Sequence, residues 1–190
     1  MKSKLIYTIL AITTLLTGCN SNQILTSKES GKYYTVTIDG EYINYDETDK
    51  EIQRIIETID GFTKASFDVS YKNLDLENEF SYYSKETREF YDEVGMKENT
   101  EEWMKLEKLI MKLHEVDIKS IELYNKNTVH AARINLDYIS SYPGATDSYL
   151  ELNDVEIDKK YSRGMNMELV YEDDRWAVKE YILTTRTEVE

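Results

Sequence analysis

The sequence predicts an α+β domain, with N-terminal helices packed on one face of a curved antiparallel sheet. Three observations carry this. Apolar residues recur at helical spacing from Ile52 to about Leu113; from Val116 the period changes to two; and it stays at two through most of the remaining chain. Helices that precede a run of long strands, without strand–helix alternation, imply segregated layers and not a parallel sheet.

Tyr33 to Asp46 reads as a β-hairpin. Asp39-Gly40 matches a two-residue type I′ turn, in which both central residues need positive φ. That turn pairs Ile38 with Glu41, Val36 with Ile43 and Tyr34 with Tyr45. Tyr34, Val36, Ile38, Ile43 and Tyr45 then share one face. Thr48-Asp49-Lys50-Glu51 reads as a capping box with Thr48 as the N-cap. Ile52, Ile55, Ile56 and Ile59 follow on one helical face. Phe62, Ser66 and Val69 continue it, past a weak point at Asp60-Gly61.

Asn73 to Glu79 has loop character. Phe80, Tyr83, Thr87, Phe90 and Val94 form a second helical stripe, stopped by Gly95. A third helix starts near Asn99 or Thr100, with Trp103, Leu106, Ile110 and Leu113 as its apolar stripe and His114 at its C-terminal end. These aromatics read as core.

Val116 to Tyr124 and Thr128 to Ser140 read as paired strands about Asn125-Lys126-Asn127. Ala132, Ile134, Leu136 and Tyr138 alternate cleanly. Ser141 to Asp158 reads as a loop with Tyr149 to Leu152 as a short strand inside it. Tyr161 to Tyr171 carries Met165, Met167, Leu169 and Tyr171 on one face. Glu172 to Arg175 turns into a last strand from Trp176 to Thr185.

Ahead of the domain, Lys2 and Lys4 precede an apolar or weakly polar run from Leu5 to Leu16. A bilayer span takes about 20 apolar residues, so this run fits the core of a secretory signal. It ends in Leu16-Thr17-Gly18-Cys19, and Cys19 is the chain's single cysteine. This arrangement resembles the lipobox of bacterial lipoproteins. The resemblance implies a diacylglycerol on the Cys19 thiol, cleavage between Gly18 and Cys19, and a mature protein held at the extracytoplasmic face of the cell membrane. The expected organisation is a signal peptide over 1–18, a flexible tether over 19–32 and one domain over 33–190. Two acyl chains anchor stably without a spanning helix.

Charge narrows the partners. The 23 Lys and Arg stand against 37 Asp and Glu, a net −14, and loss of Lys2 and Lys4 with the signal makes it −16. Nucleic acid binding needs a basic stripe that displaces counterions, and the composition argues against it. A polybasic grip on anionic lipid is disfavoured for the same reason. A cationic protein or peptide is the partner class that this charge suits. One cysteine leaves no disulfide framework, so stability rests on packing, to which the 16 tyrosines can contribute rings with polar tips.

The domain also resembles the NTF2-like, or cystatin-like, cone. Phe62-Thr63-Lys64-Ala65, Tyr71-Lys72-Asn73 and Tyr82-Tyr83-Ser84 carry the likeness in the helices, and Asp173-Asp174-Arg175-Trp176-Ala177-Val178 carries it in the terminal hairpin. It covers roughly residues 48 to 186; the Asp39-Gly40 hairpin lies outside that pattern. The likeness implies a concave sheet around an interior, as in many envelope accessory proteins.

No catalytic motif emerges. His114 and His130 are the only histidines, and no H-E-x-x-H, C-x-x-C, G-x-S-x-G or Gly-rich phosphate loop occurs. No metal and no cofactor is expected. Asp75-Leu76-Glu77-Asn78-Glu79 opens like a calcium loop, but Phe80 stands where glycine is needed, ahead of Glu86 at the twelfth position. Some enzymes of the NTF2-like group use a Tyr, Asp or His inside the cone. Here His130 and Tyr138 fall on one side of a strand and Asp137 on the other. The expectation is therefore a non-catalytic, lipid-anchored module that binds a protein or peptide. The alternatives are a small-molecule binder with a cavity lined by Tyr and Met, and an enzyme built around His130.

Overall fold

The computed structural model describes residues 26–126 and 129–189. Gly18, Cys19, the signal over 1–18, most of the expected tether, the turn residue Asn127 and the expected strand start Thr128 lie outside the described residues. Thr26–Ser27, inside the stretch expected as tether, forms a first strand, β1. After it come β2 (Tyr33–Val36), β3 (Tyr42–Asn44), α1 (Lys50–Phe67), β4 (Val69–Ser70), α2 (Leu76–Ser81), α3 (Lys85–Glu93) and α4 (Met96–Leu106). Then follow β5 (Ile110–Lys126), β6 (Val129–Gly144), α5 (Asp147–Asn153), β7 (Lys160–Glu172) and β8 (Arg175–Val189). The fold is α+β: among the described residues five helices pack against an eight-stranded, mostly antiparallel sheet that does not close into a barrel. Its order is β1-β3-β2-β5-β6-β7-β8, with β4 also on β5. β2 pairs with β5 in parallel, Tyr33 opposite Ile121 and Thr35 opposite Leu123.

The hairpin forms one residue out of the expected register. Tyr34 faces Asn44, Thr35 faces Ile43 and Val36 faces Tyr42. The turn is the cause. The Gly40 amide donates to the Thr37 carbonyl at 3.0 Å and the Thr37 amide to the Glu41 carbonyl at 2.8 Å. Within this turn only Gly40 is left-handed, with φ 78°. A turn closed by a glycine bulge needs one left-handed residue, whereas type I′ needs two. The slip exchanges faces. Tyr33 is buried, while Val36 and Ile38 are exposed and Tyr34 meets Tyr42 edge to face at 5.4 Å.

The first helix is capped by Asp49, not Thr48. Asp49 Oδ1 accepts from the Glu51 amide at 2.9 Å, and Thr48 instead donates its amide and hydroxyl to Asp46 Oδ1. α1 runs without a break through Asp60 and Gly61. Gly61 serves close approach, since a Cβ there would overlap the Tyr82 ring. Val69 leaves the helix and pairs with Met111 in β4.

The expected loop over Asn73 to Glu79 contains the start of α2, capped by Asp75. The expected single helix from Phe80 to Val94 is two helices. Between them the backbone pairs with the sheet edge: Ser84 N donates to Val178 O and Val178 N to Tyr82 O, each at 2.8 Å. Ser84 then caps α3. The third helix begins earlier than expected, at Met96 after left-handed Gly95, and ends at Leu106. Ile110, Leu113 and His114 therefore belong to β5, not to a helix. Tyr149 to Leu152 is helical, within α5, because Thr146 caps it through the Tyr149 amide at 3.3 Å.

β5 to β8 behave as the period of two implies. Ala132, Ile134 and Leu136 face Leu169, Met167 and Met165 and are fully or almost fully buried. Irregularities in β5 near His114 and Lys119 bend that strand. Ile52, Ile55, Ile59 and Phe62 of α1 lie on this surface with no exposure at all. The β7–β8 turn is a two-residue one, with Asp173 and Asp174 both left-handed (φ 48° and 60°).

Candidate functional site

The space between α1 and the sheet, where a ligand cavity was the alternative, is filled. Phe62 sits 5.5 Å from the Tyr83 ring and 5.4 Å from the Tyr181 ring, and Tyr83 sits 5.0 Å from Tyr91, all edge to face. Met165 and Met167 are core residues. An open cleft of about 630 Å³ runs beside α1 and the start of β5 and mixes Lys64, Asp68, Asp75 and Lys112 with Met111 and Pro143. Under the helices Glu79 turns inward, accepting from Ser66 Oγ at 3.2 Å and Tyr83 Oη at 3.5 Å. Burial pushes its carboxyl above the usual glutamate range, and burial likewise raises Tyr83, helped by Tyr181 and Glu79.

The residues singled out for catalysis are not brought together. His130 is exposed and stands opposite Asn125. Tyr138 is buried and stacks on Phe67 at 4.5 Å. Asp137 is on the other face, 3.3 Å from Lys119 Nζ. His114 Nε2 lies 2.8 Å from Ser141 Oγ; partial burial, then Lys160 and Lys112, lower its pKa. Asp75, the head of the calcium-like stretch, uses Oδ1 to accept from the Asn78 amide at 3.1 Å.

The feature that stands apart is an apolar band on α3, α4 and α5. Phe90 is on α3, and Val94, one turn on, caps its C-terminal end. Met96, Trp103 and Leu106 follow at seven and three residues on α4. All five are exposed, Leu106 to 70% and Trp103 to 45%. The Trp103 ring lies 5.9 Å from Tyr149, and one turn further along α5 Leu152 is 87% exposed. α5 is tied to the end of α4, because Thr146 N donates to Glu107 O at 2.9 Å and its hydroxyl to the Glu107 carboxylate.

Charge surrounds this band. Residues 85–108 contain eight carboxylates and five bases, and 147–158 contain five carboxylates and no base. Of the bases, Lys85, Lys97 and Lys105 engage Glu89, Glu77 and Glu101. The sequence reading placed Phe90, Val94, Trp103 and Leu106 in the core. The structure corrects this: Tyr91 and Met104 are the inward residues, Tyr91 packed on Tyr83 and Phe80, and Met104 against Leu109 and Tyr149. Large exposed apolar side chains gathered on neighbouring helices amid charged residues are the usual mark of an interaction site.

No family model matches the chain, and no curated protein is found to resemble it.

Proposed function

We propose that this chain is a lipid-anchored envelope lipoprotein whose NTF2-like domain is a non-catalytic docking module for a protein partner. The apolar band over α3, α4 and α5 carries the reading. A half-exposed Trp among aliphatic neighbours is the kind of side chain that dominates interface energetics. The surrounding carboxylates define the partner's chemistry: an apolar centre flanked by Lys or Arg. The same charge disfavours nucleic acid.

The lipobox likeness supports Cys19 as the attachment point. Six residues lie between Cys19 and Thr26, the first residue of β1, and the seven steps of a fully extended chain from one to the other reach at most about 25 Å. The start of the domain is accordingly held within about 25 Å of the membrane, and the partner is one that can reach the domain there. The order of helices and long bent strands supports the cone, with its interior occupied by the chain's own side chains. With His130 apart from Asp137 and the interior packed, binding is favoured over turnover.

The test is capture of the lipidated chain from gently solubilised native membranes at low and high salt, read by native mass spectrometry. The expected result is a stoichiometric protein partner that dissociates as salt rises and is absent with Leu106→Ser/Leu152→Ser. A partner that survives the double substitution, or none at all, contradicts the reading. A diacylglyceryl mass on Cys19, absent from a Cys19→Ser chain, would support the anchor; an unmodified Cys19 thiol would remove it.

A further inference from the structure

One row on the helix-facing side of the sheet breaks the apolar pattern. β6 and β7 pair without a slip from Ala131–Val170 to Ser141–Lys160, so their faces alternate strictly. After the Ala132–Leu169, Ile134–Met167 and Leu136–Met165 rows, the next on the same face is Tyr138–Arg163. β8 completes it with Arg186 opposite Arg163. The Met165–Leu183 register, continued, would set Thr185 there; a bulge in β8 between Leu183 and Arg186 places an arginine instead.

Like charges directly opposite one another destabilise a sheet. Among the described residues, neither guanidinium has an ion pair with a carboxylate. Both are nevertheless held in place. Arg163 Nε donates to Thr184 O and Arg186 Nη1 to Asn153 O, each at 2.7 Å. Arg186 also lies over the Tyr142 ring at 5.3 Å and the Tyr161 ring at 5.9 Å. The Tyr138 hydroxyl is in reach of Arg163. Of the carboxylates in the cleft of about 560 Å³ beside Arg186, Glu156 and Glu188 are taken up by Lys159 at 2.9 and 3.2 Å, while Glu151 and Asp154 stand at its wall.

We infer that the Tyr138–Arg163–Arg186 row binds a doubly charged oxyanion of the phosphate-monoester type. Two planar forks on adjacent strands can converge on one tetrahedral group, and the Tyr138 hydroxyl adds a further donor. A dianion there cancels the repulsion between the two arginines. The row touches α5 through Asn153 O but uses none of the exposed apolar residues of the α3–α5 band. Soluble phosphate monoesters and the headgroup of phosphatidic acid both present this chemistry.

The test uses the full lipidated chain in phosphatidylcholine nanodiscs. Its thermal unfolding is followed while low-millimolar inorganic phosphate replaces chloride at constant ionic strength. The expected result is a saturable rise of about 3 °C or more. Arg163→Gln and Arg186→Gln each remove it, and Lys50→Gln, an exposed control, keeps it. A parallel arm replaces added phosphate with phosphatidic acid in the disc; a rise there that the same variants abolish assigns the site to a headgroup. Should a Gln variant not fold, Arg163→Lys keeps the charge but loses the fork, and ³¹P line broadening of phosphate by wild type and not by that variant reads the site directly. No shift in either arm, or shifts that survive both arginine substitutions, overturns the inference.

Discussion

The Trp103 ring packs 5.9 Å from Tyr149, yet 45% of the residue faces solvent. The contact joins α4 to α5, and the open half is what a partner would cover. Trp103→Ser is expected to weaken partner affinity by about 30-fold or more, as for a hot spot, while costing the domain only about 1 kcal/mol. Denaturant melts and a binding titration on the same samples separate the two effects.

Glu79 makes stability depend on pH. Burial raises its folded pKa above the ordinary value, so the folded state favours the protonated carboxyl. The favourable contribution is complete below the unfolded pKa of about 4.3 and is lost as pH rises through the folded pKa. Glu79→Gln keeps an acceptor for Ser66 and Tyr83 without the buried charge. Thermal melts at pH 4, 6 and 8 should show the variant gaining on wild type as pH rises, with the gap closing at pH 4.

Gly61 and Tyr82 are coupled by space. Ala in mid-helix is favoured over Gly by about 1 kcal/mol, but at Gly61 its Cβ would overlap the Tyr82 ring. Gly61→Ala should therefore destabilise the wild-type chain and stabilise a Tyr82→Ala chain. A double-mutant cycle by urea unfolding reads that change of sign.

In the β7–β8 turn, Asp174 holds φ 60° and its carbonyl accepts from Arg54 Nη2 at 2.5 Å. The left-handed conformation costs an L-residue about 1 kcal/mol, and glycine escapes that cost while retaining the carbonyl. Asp174→Gly should raise stability by up to about 1 kcal/mol in a denaturant melt.

The long strands and α1 were legible because each has one unambiguous apolar face: Ala132, Ile134 and Leu136, or Ile52, Ile55 and Ile59. The short helices were not, because two apolar stripes interleave. Phe90 and Val94 compete with Tyr91, and Trp103 and Leu106 with Met104, and only packing selects the inner set. The residues of the apolar band were thus noticed and put on the wrong side. The hairpin register was hidden for a similar reason. Tyr33 and Tyr34 are adjacent and both ring-bearing, so the turn decides between them, and Gly40 alone supplies its left-handed residue. Arg163 did carry a signal, since it stands in phase with Met165 and Met167 on an otherwise apolar face. Its partner Arg186 carried none, because a bulge that depends on pairing puts it there.

The central claim is that the α3–α5 band is the surface a protein partner covers. The most direct measurement is site-specific photo-crosslinking in intact cells, with the photoreactive residue at Leu106 or Leu152 and, as comparison, at exposed Asn135 on the opposite face of the sheet. One adduct of defined mass at both band positions, and none at Asn135, is the predicted result. Equal labelling at all three positions, or an adduct at Asn135 alone, would contradict it.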